Sequence, residues 1–228
     1  MFILVKLPSR GRPEKLLHTL KLYIEKADDL SRMFFMITLD SDDPTVTHEL
    51  VEQILALRPN IQITLGLSGS KIAAINRDLQ NAPPFDILLL ASDDMIPVVQ
   101  GYDNVIRSAM RARYPNTDGV LWFNDGFQGR RLNTLSILGR KYFQRFGYIY
   151  HPEYKSLWCD NEFTDVAEKL HRQTYIHQVI IRHEHPGHGV GVFDEVYTRN
   201  LTNDSDKAVY ERRRRRGFDI PPVSFLRH

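Results

Sequence analysis

The sequence predicts an α/β protein built on one mainly parallel open sheet that is flanked by helices. Short apolar runs recur along the chain, and each is followed by a polar loop and then by apolar residues at helical spacing. The run Ile87–Ala91 is apolar throughout, as in a strand buried on both faces of a parallel sheet. Hydrophobic residues make up 42% and charged residues 25% of the chain, which excludes disorder and coiled coil for the whole.

Four strand–loop–helix units are predicted within residues 2–97. The predicted strands are Phe2–Leu7, Met33–Leu39, Ile61–Leu65 and Ile87–Ala91. Apolar residues at helical spacing follow the first three strands, at Leu16 to Ile24, Val46 to Leu57 and Ile72–Leu79. Repetition of this unit favours a doubly wound sheet.

The second half of the chain is less regular. Helices are predicted at Val105–Arg113, Arg140–Phe146 and Asn161–Arg172, with strands at Val120–Phe123 and Tyr175–Arg182. We therefore expect a single domain over residues 1–203, with a regular half (1–97) and a less regular half (98–203). The remainder, residues 204–228, is expected to be a basic appendage.

Charge and cysteine content narrow the class of protein. Of the 30 basic residues, five form the run Arg212–Arg216, and the remaining 25 stand against 28 acidic residues. A mildly acidic body gives nucleic-acid binding no support, so no nucleic-acid partner is expected. The single cysteine, Cys159, cannot form an internal disulfide, and no signal or membrane-spanning segment is evident. A cytoplasmic location is the expectation.

Polar residues follow three of the predicted strands where each strand ends. Ser9–Arg12 follow the first strand, Asp40–Asp43 the second, and Ser92–Asp94 the fourth. Ligands of open α/β sheets bind at the carboxyl ends of the strands. Clustered carboxylates are commonly held by Mg²⁺ or Mn²⁺ shared with a phosphate. The alternative, that Asp40, Asp42 and Asp43 only cap a helix, stays open.

In this order the motifs resemble the inverting family 2 glycosyltransferases of the GT-A fold. The resemblance covers about residues 2–190. It depends on Pro8–Arg12 after the first strand, Asp40 after the second, Gly69–Asn76 as a Gly-Lys-x-x-Ala-x-Asn-like helix start, and Ala91–Asp94. The family's Asp-x-Asp motif would place an acid at Ala91, so Asp93 and Asp94 are left to carry a metal.

The resemblance implies a nucleotide-binding half at 1–97 and an acceptor half at 98–203. The residues expected to bind the nucleotide are Pro8, Ser9, Arg10, Arg12, Asp40, Lys71, Asn76 and Asp93. Arginines and lysines suit the diphosphate, and Arg77, Arg130 and Arg131 are further candidates.

The expected cofactor is Mn²⁺ or Mg²⁺, held by Asp94, Asp93 and a downstream histidine. His183 and His185 would project to the same face of a strand, and resemblance favours His185, with His188 in reserve. Hydrogen-bonded loop histidines remain the structural alternative.

The resemblance implies an acidic pair at this point in the chain, one member of which is the general base, and Asp160 fits that role best, with Glu162 second. A carboxylate is needed because an acceptor hydroxyl must lose a proton as it attacks the anomeric carbon. Trp158 and Tyr154 are expected to stack on the acceptor. The alternative is that Asp160 caps a helix and Glu162 complements the helix dipole. Cys159 is interpreted as a small buried hydrophobe.

The resulting hypothesis is a hexosyltransferase-type enzyme. It would move a sugar from a nucleotide-diphosphate donor to a hydroxyl of a glycan, a lipid-linked molecule or a small acceptor, with inversion. Two alternatives stay open: a nucleotidyltransferase, although Pro8–Pro13 contains only one glycine, and a non-catalytic nucleotide- or glycan-binding module. The run Arg212–Arg216 either contacts an anionic surface or forms a solvated face.

Overall fold

The computed structural model describes residues 1–58, 60–184 and 204–220, and it confirms the predicted α/β class. The strands are β1 (Ile3–Ser9), β2 (Met33–Asp40), β3 (Ile61–Gly66), β4 (Ile87–Leu90), β5 (Met95–Pro97), β6 (Val120–Phe123), β7 (Ile137–Gly139), β8 (Gln173–Ile176) and β9 (Ile181–His183). The helices are α1 (Pro13–Glu25), α2 (His48–Leu57), α3 (Lys71–Asn76), α4 (Tyr102–Arg113), α5 (Arg140–Gln144), α6 (Cys159–Lys169) and α7 (Asp204–Arg215).

Seven strands form the central sheet in the order β3-β2-β1-β4-β7-β6-β8. The first four strands in this order are parallel to one another, and β6 and β8 are also a parallel pair. Only β7, between β4 and β6, runs antiparallel to its neighbours. The prediction of a mainly parallel sheet is confirmed, although the three-residue β7 has too short an apolar run to be recognised in the sequence.

Helices cover both faces of the sheet and divide the core into two layers. Along β1, alternate side chains point to opposite faces, so Ile3 and Val5 pack with α1, α2 and α4. Leu4, between them, packs on the other face with α3, α5 and α6. Burial on both faces explains why the central strands are continuous apolar runs.

Helix α3 is shorter than the predicted Ile72–Leu79. Its first turn is capped by Ser70, whose Oγ accepts a hydrogen bond from the Ala73 amide at 3.0 Å. After Asn76 the chain leaves the helix, because Arg77 is extended and Asp78 is left-handed with φ 65°. The extended backbone sends the Arg77 side chain back towards β2 and β3.

The antiparallel pair of β5 and β9 lies outside the central sheet. Met95 is opposite His183 in this pair, and the Glu184 amide donates to the Asp94 carbonyl at 2.7 Å. The pairing therefore carries the end of β9 back to the acidic segment that follows β4.

Residues 204–220 pack against the domain and do not hang free from it. Helix α7 contacts α6, and the side chains of Asp206, Arg213 and Phe218 are buried. The arginine run is thus divided, since Arg213 is 4% exposed whereas Arg214–Arg216 are exposed. Within the described residues, no helix is both long and apolar enough to cross a bilayer.

Candidate functional site

The ends of β1 and β2 meet in a cluster of paired charges. Asp40, which is 6% exposed, accepts from Arg10 at 3.1 Å and from Arg77 at 3.3 Å. Arg10 also pairs with Asp42. Arg77 further donates to the carbonyls of Leu39, Thr64 and Gly66, so it ties the ends of β2 and β3 together.

Asp43 has the structural role that the sequence left open for this loop. It accepts from the Gly11 amide at 2.6 Å and from the amide and hydroxyl of Thr45. Burial alone would raise the pKa of Asp43, but these hydrogen bonds outweigh it and lower the pKa. Asp43 therefore joins the loop after β1 to the loop after β2.

Asp93 accepts hydrogen bonds from the end of β1 and from the loop that follows it. Its carboxylate accepts from Ser9 Oγ at 2.8 Å and from Arg12 Nη1 at 3.2 Å. Burial and the neighbouring charge of Asp94 raise its pKa, and Arg12 opposes that rise. Ser9 and Arg12 thus stabilise the buried carboxylate of Asp93 by hydrogen bonds.

Asp94 and His183 lie side by side. Asp94 Oδ2 is 3.6 Å from His183 Nε2, and Asp94 also accepts from the Ser92 hydroxyl. The register of β5 and β9 produces this approach. The sequence named His183 as one of the two histidines on this strand, whereas the favoured His185 and the reserve His188 lie outside the described residues.

A residue that the sequence analysis did not select, Asp125, lies next to His183. Asp125 is 3% exposed, and its backbone carbonyl accepts from the His183 amide at 3.0 Å. Its carboxylate accepts from Thr134 Oγ1 at 2.6 Å and from the amides of Phe127 and Gln128. Asp125 therefore shapes the glycine-rich loop after β6 and holds the end of β9, and no local motif announces this.

Helix α3 contributes one exposed charge and one tether. Lys71 is exposed at the first position of the helix. Asn76 donates to the Tyr150 carbonyl at 2.6 Å and accepts from the Ile149 amide at 3.0 Å. The expected nucleotide ligand Asn76 is thus engaged in fixing the chain that approaches α6.

The N-terminus of α6 presents the carboxyl group of Asp160. The N-cap residue is Trp158, with φ 63°, so the alternative in which Asp160 is the N-cap is not observed. A left-handed conformation costs a non-glycine residue on the order of 1–3 kcal/mol and is common at functional sites. This left-handed residue leads directly into Cys159 and Asp160, the first residues of α6.

Asp160 is partly exposed, and the protein packed around its carboxyl group desolvates it. Its carboxylate accepts from the backbone, with the Asn161 amide at 3.0 Å. Desolvation raises its pKa, and the charge of Lys71 and, less strongly, that of His183 oppose the rise. Asp160, Lys71 and the Asp94–His183 pair are therefore close enough to interact.

Glu162 lies on the other face of the same helical turn, in a buried ion pair. Arg213 donates to both carboxylate oxygens at 2.8–3.1 Å, and Tyr154 OH donates to Oε2 at 2.8 Å. Glu162 is 5% exposed. Its carboxylate oxygens are used in the contact between α6 and α7.

The two expected stacking residues are not equivalent. Tyr154 is 1% exposed and packs inside the core, so its ring presents no face to a sugar. Trp158 is partly exposed and packs against Tyr210, with ring centroids 5.2 Å apart. Cys159 is buried, and burial raises its pKa well above the usual value, in keeping with an inert hydrophobe.

The remaining arginine candidates lie in the loop after β6. Arg130 is exposed and stacks on the Tyr175 ring at 4.9 Å. Arg131 donates to the carbonyl oxygens of Phe127 and Gln128 within its own loop. Neither contacts the acidic residues of the sheet edge through a described hydrogen bond.

Within the part of the chain that the structure describes, no three side chains of His, Cys, Asp or Glu are grouped as a metal site. Asp94 and His183 are the pair whose donor atoms fit best, since Mn²⁺ accepts both oxygen and imidazole nitrogen. A cation at this pair would take its other ligands from water or from a substrate phosphate.

Comparison with known proteins finds similarity in structure alone. No family model and no curated protein matches the sequence. The solved mannosyltransferase PcManGT from Pyrobaculum calidifontis, in complex with GDP-Man and Mn²⁺, is similar with TM-score 0.62 and 12% identity over 79% of this chain and 56% of its own. S. aureus TarS is similar with TM-score 0.62 and 16% identity, over 80% of this chain and 36% of TarS.

A shorter S. aureus TarS structure, in complex with UDP-GlcNAc, is similar with TM-score 0.61 and 16% identity over 87% of this chain and 64% of its own. The chain thus spans between about a third and two thirds of the length of these proteins. Such low identities establish the fold and nothing further. The GT-A-like fold that the sequence predicts is confirmed.

Proposed function

We propose that this protein is an inverting glycosyltransferase of the hexosyltransferase type. It would move a sugar from a nucleoside-diphosphate donor to a hydroxyl of a glycan, a lipid-linked molecule or a small acceptor. The proposal is carried by the pairing of Asp94, which follows β4, with His183 at 3.6 Å, together with the electrostatic effect of Lys71 and His183 on Asp160. The fold shared with solved glycosyltransferases supports it.

Asp160 is proposed as the general base. As the acceptor oxygen forms its bond to the anomeric carbon, the hydroxyl proton passes to the Asp160 carboxylate, and the bond from that carbon to the diphosphate breaks. The electron pair of the broken bond leaves with the diphosphate, so attack from the opposite face inverts the centre. Burial and the weak hydrogen bonding of Asp160 support this role, since a raised pKa favours proton uptake near neutral pH.

Lys71 is proposed to act on the same site through its charge. Its ammonium group opposes the rise in the pKa of Asp160 and so favours the ionised base. It is also the exposed cation best placed for the donor diphosphate, because Arg10, Arg12 and Arg77 pair with Asp40, Asp42 and Asp93.

Asp94 and His183 are proposed to hold Mn²⁺ or Mg²⁺, with His185 a further candidate. Such an ion stabilises the negative charge that grows on a departing diphosphate. Asp93, although named with Asp94 in the acidic segment, is proposed to support the donor site through its contacts with Ser9 and Arg12.

The nucleoside is proposed to lie over the ends of β1 and β2. Pro8 and Ser9 end β1 there, Arg10 follows them, and Asp40 is fixed between two guanidinium groups. A carboxylate held in one orientation gives a polar contact that orients a ligand. Trp158, partly exposed beside Asp160, is the proposed acceptor contact.

One experiment separates the three functional classes. The protein is incubated with a panel of nucleotide sugars, Mn²⁺ and simple glycan acceptors, and the released nucleotide is identified by mass. Release of nucleoside diphosphate supports sugar transfer, pyrophosphate chemistry indicates a nucleotidyltransferase, and binding without turnover indicates a binding module. The Gly11 amide is already bonded to Asp43, which weakens a phosphate-binding glycine loop.

The metal proposal has its own control in the same assay. We expect Asp94→Asn and chelation each to abolish Mn²⁺-stimulated release, whereas Asp42→Asn, a change in an exposed carboxylate of the neighbouring loop, leaves Mn²⁺ dependence intact. Isothermal titration of Mn²⁺ into the Asp94→Asn protein gives a readout without turnover. Unchanged Mn²⁺ affinity there would remove Asp94 from the proposed site.

A further inference from the structure

The carboxylate of Asp206, in the first turn of α7, binds three consecutive backbone amides. It accepts from Lys155 at 3.0 Å through Oδ1, and from Ser156 and Leu157 at 2.8 Å each through Oδ2. Asp206 is fully buried. Burying an ionised carboxylate is costly unless hydrogen bonds satisfy it, so Asp206 and residues 155–157 depend on each other for their placement.

Residues 155–157 lie between the two elements of the proposed active site. The Lys155 carbonyl accepts from the Ile72 amide at 3.2 Å, in the first turn of α3, next to Lys71. On the other side, Leu157 is followed directly by the left-handed Trp158 and by α6, which carries Asp160. Lys155 thus donates its backbone N–H to Asp206 and accepts at its backbone carbonyl from α3.

We propose that Asp206 is a positioning residue for the base Asp160. By holding three successive amides, it fixes the turn at Trp158 and with it the direction in which the N-terminus of α6 points. The inference rests on the proposed function, because positioning Asp160 matters for turnover only if Asp160 accepts the proton. General-base catalysis is sensitive to such placement, since the base must reach the proton it removes.

A neighbouring contact of the same helix provides a matched control. Tyr210 on α7 donates to Asp165 on α6 at 2.7 Å, and this bond contributes to helix docking without touching residues 155–157. Tyr210→Phe removes the bond and keeps the ring that packs on Trp158. Asp206→Asn, in contrast, removes the charge and turns an amide group towards the three N–H donors.

The experiment compares Asp206→Asn and Tyr210→Phe with the wild type in three measurements: amide hydrogen exchange of residues 155–157, donor affinity, and turnover of the folded protein. For Asp206→Asn we expect faster exchange at these amides, nearly unchanged donor affinity and a fall in turnover of about 10- to 100-fold. Tyr210→Phe should leave exchange and turnover close to wild type. If Asp206→Asn does not fold, Asp206→Glu keeps the charge and should lower turnover by displacing the turn.

Several results would overturn the inference. Normal turnover in Asp206→Asn, measured beside an inactive Asp160→Asn, would refute the positioning role alone and leave the proposed function standing. An equal loss in Tyr210→Phe would assign the effect to general docking of α7. Absence of sugar transfer by the wild type with every donor would refute the proposed function, and the inference with it.

Discussion

The two carboxylates in the first turn of α6, Asp160 and Glu162, have opposite hydrogen-bonding environments. On one face, Glu162 accepts hydrogen bonds from Arg213 and Tyr154. On the other face, two residues earlier, Asp160 is partly exposed, and the described hydrogen bonds of its carboxylate come from the backbone. Both side chains are acidic and lie in one helix. Glu162 stabilises the contact between α6 and α7, whereas Asp160 has a raised pKa and therefore binds a proton more readily.

The same contrast runs along the sheet edge. Asp40 and Asp93 each have arginine partners, and such carboxylates serve to fix the loops that they join. A bonded guanidinium therefore accompanies a structural role here, although burial and the charge of Asp94 still raise the pKa of Asp93. Among the described hydrogen bonds of Asp160, none comes from a guanidinium. This difference distinguishes candidate catalytic groups from supporting ones.

The largest expected effect is that of Asp160→Asn on turnover. An amide cannot take the acceptor proton, so turnover should fall about 10²- to 10⁴-fold. Donor affinity and melting temperature should stay close to wild type, because the carboxylate makes few bonds. Steady-state release of nucleotide, titration of donor and thermal unfolding on the same preparation measure all three. Turnover near the wild-type rate would dismiss Asp160 as the base.

Arg213→Met tests the opposite face. It leaves Glu162 buried without its cation, so we expect the free energy of unfolding to fall by about 3–5 kcal/mol. Chemical denaturation measures this loss, and the double variant Glu162→Gln/Arg213→Met should recover part of it. Arg212→Met, which changes a more exposed arginine next to it, is the matched control. Equal stability of the two single variants would show that the buried pair is not what holds α7.

Lys71→Met tests whether the charge of Lys71 acts on the pKa of Asp160. The charge of Lys71 lowers the pKa of Asp160, so its removal raises that pKa further. Because the base must be ionised, the acid limb of the pH–rate profile should move to higher pH, with the largest loss of activity on the acidic side. Lys15→Met, on α1, is a comparison that should leave the limb in place. A limb that does not move would mean that Lys71 does not act on the group that titrates.

The smallest effect concerns Lys6, a buried cation of β1 that donates to Thr38 and to the Arg77 carbonyl at 2.7 Å. Burial lowers the pKa of Lys6 from 10.5 to about 8. Between these values the unfolded chain binds more protons, so the stability of the wild type should gain from Lys6 as pH rises from 8 towards 10. In Lys6→Met this gain is absent.

Denaturation midpoints of the wild type and Lys6→Met at pH 7.5 and 9.5 measure the contribution of Lys6. The other titrating groups are the same in both proteins, so their effect on the midpoint cancels in the comparison. A wild-type midpoint that changes with pH no more than that of the variant would show that Lys6 titrates normally.

The regular half of the fold could be predicted because its strands and helices are encoded by local periodicity. The runs that became β1 to β4 are mainly apolar, and polar residues end or follow β1, β2 and β4. The second half depends on pairings across the chain. Strand β7 is three residues long, and the single strand predicted at Tyr175–Arg182 is divided between β8 and β9, of which β9 pairs with β5.

The candidate site could be predicted in its residue types more than in its contacts. Asp160 and Lys71 were selected from sequence and come close together, whereas Asn76 and Tyr154 are engaged in packing and backbone contacts. Nothing local distinguishes Arg213 from its four neighbours in the arginine run. Only the approach of α7 to α6 decides which arginine is buried.

The most direct test of the contrast between the two faces is a titration of the Asp160 carboxyl by carbon NMR. The resonance is assigned by its loss in Asp160→Asn, and its midpoint is followed with pH. We expect the midpoint of Asp160 to lie above the ordinary aspartate value of about 3.9 and to rise further in Lys71→Met. A midpoint below the ordinary value would show that Asp160 is held ionised by hidden partners, like Asp43, and would contradict its assignment as the base.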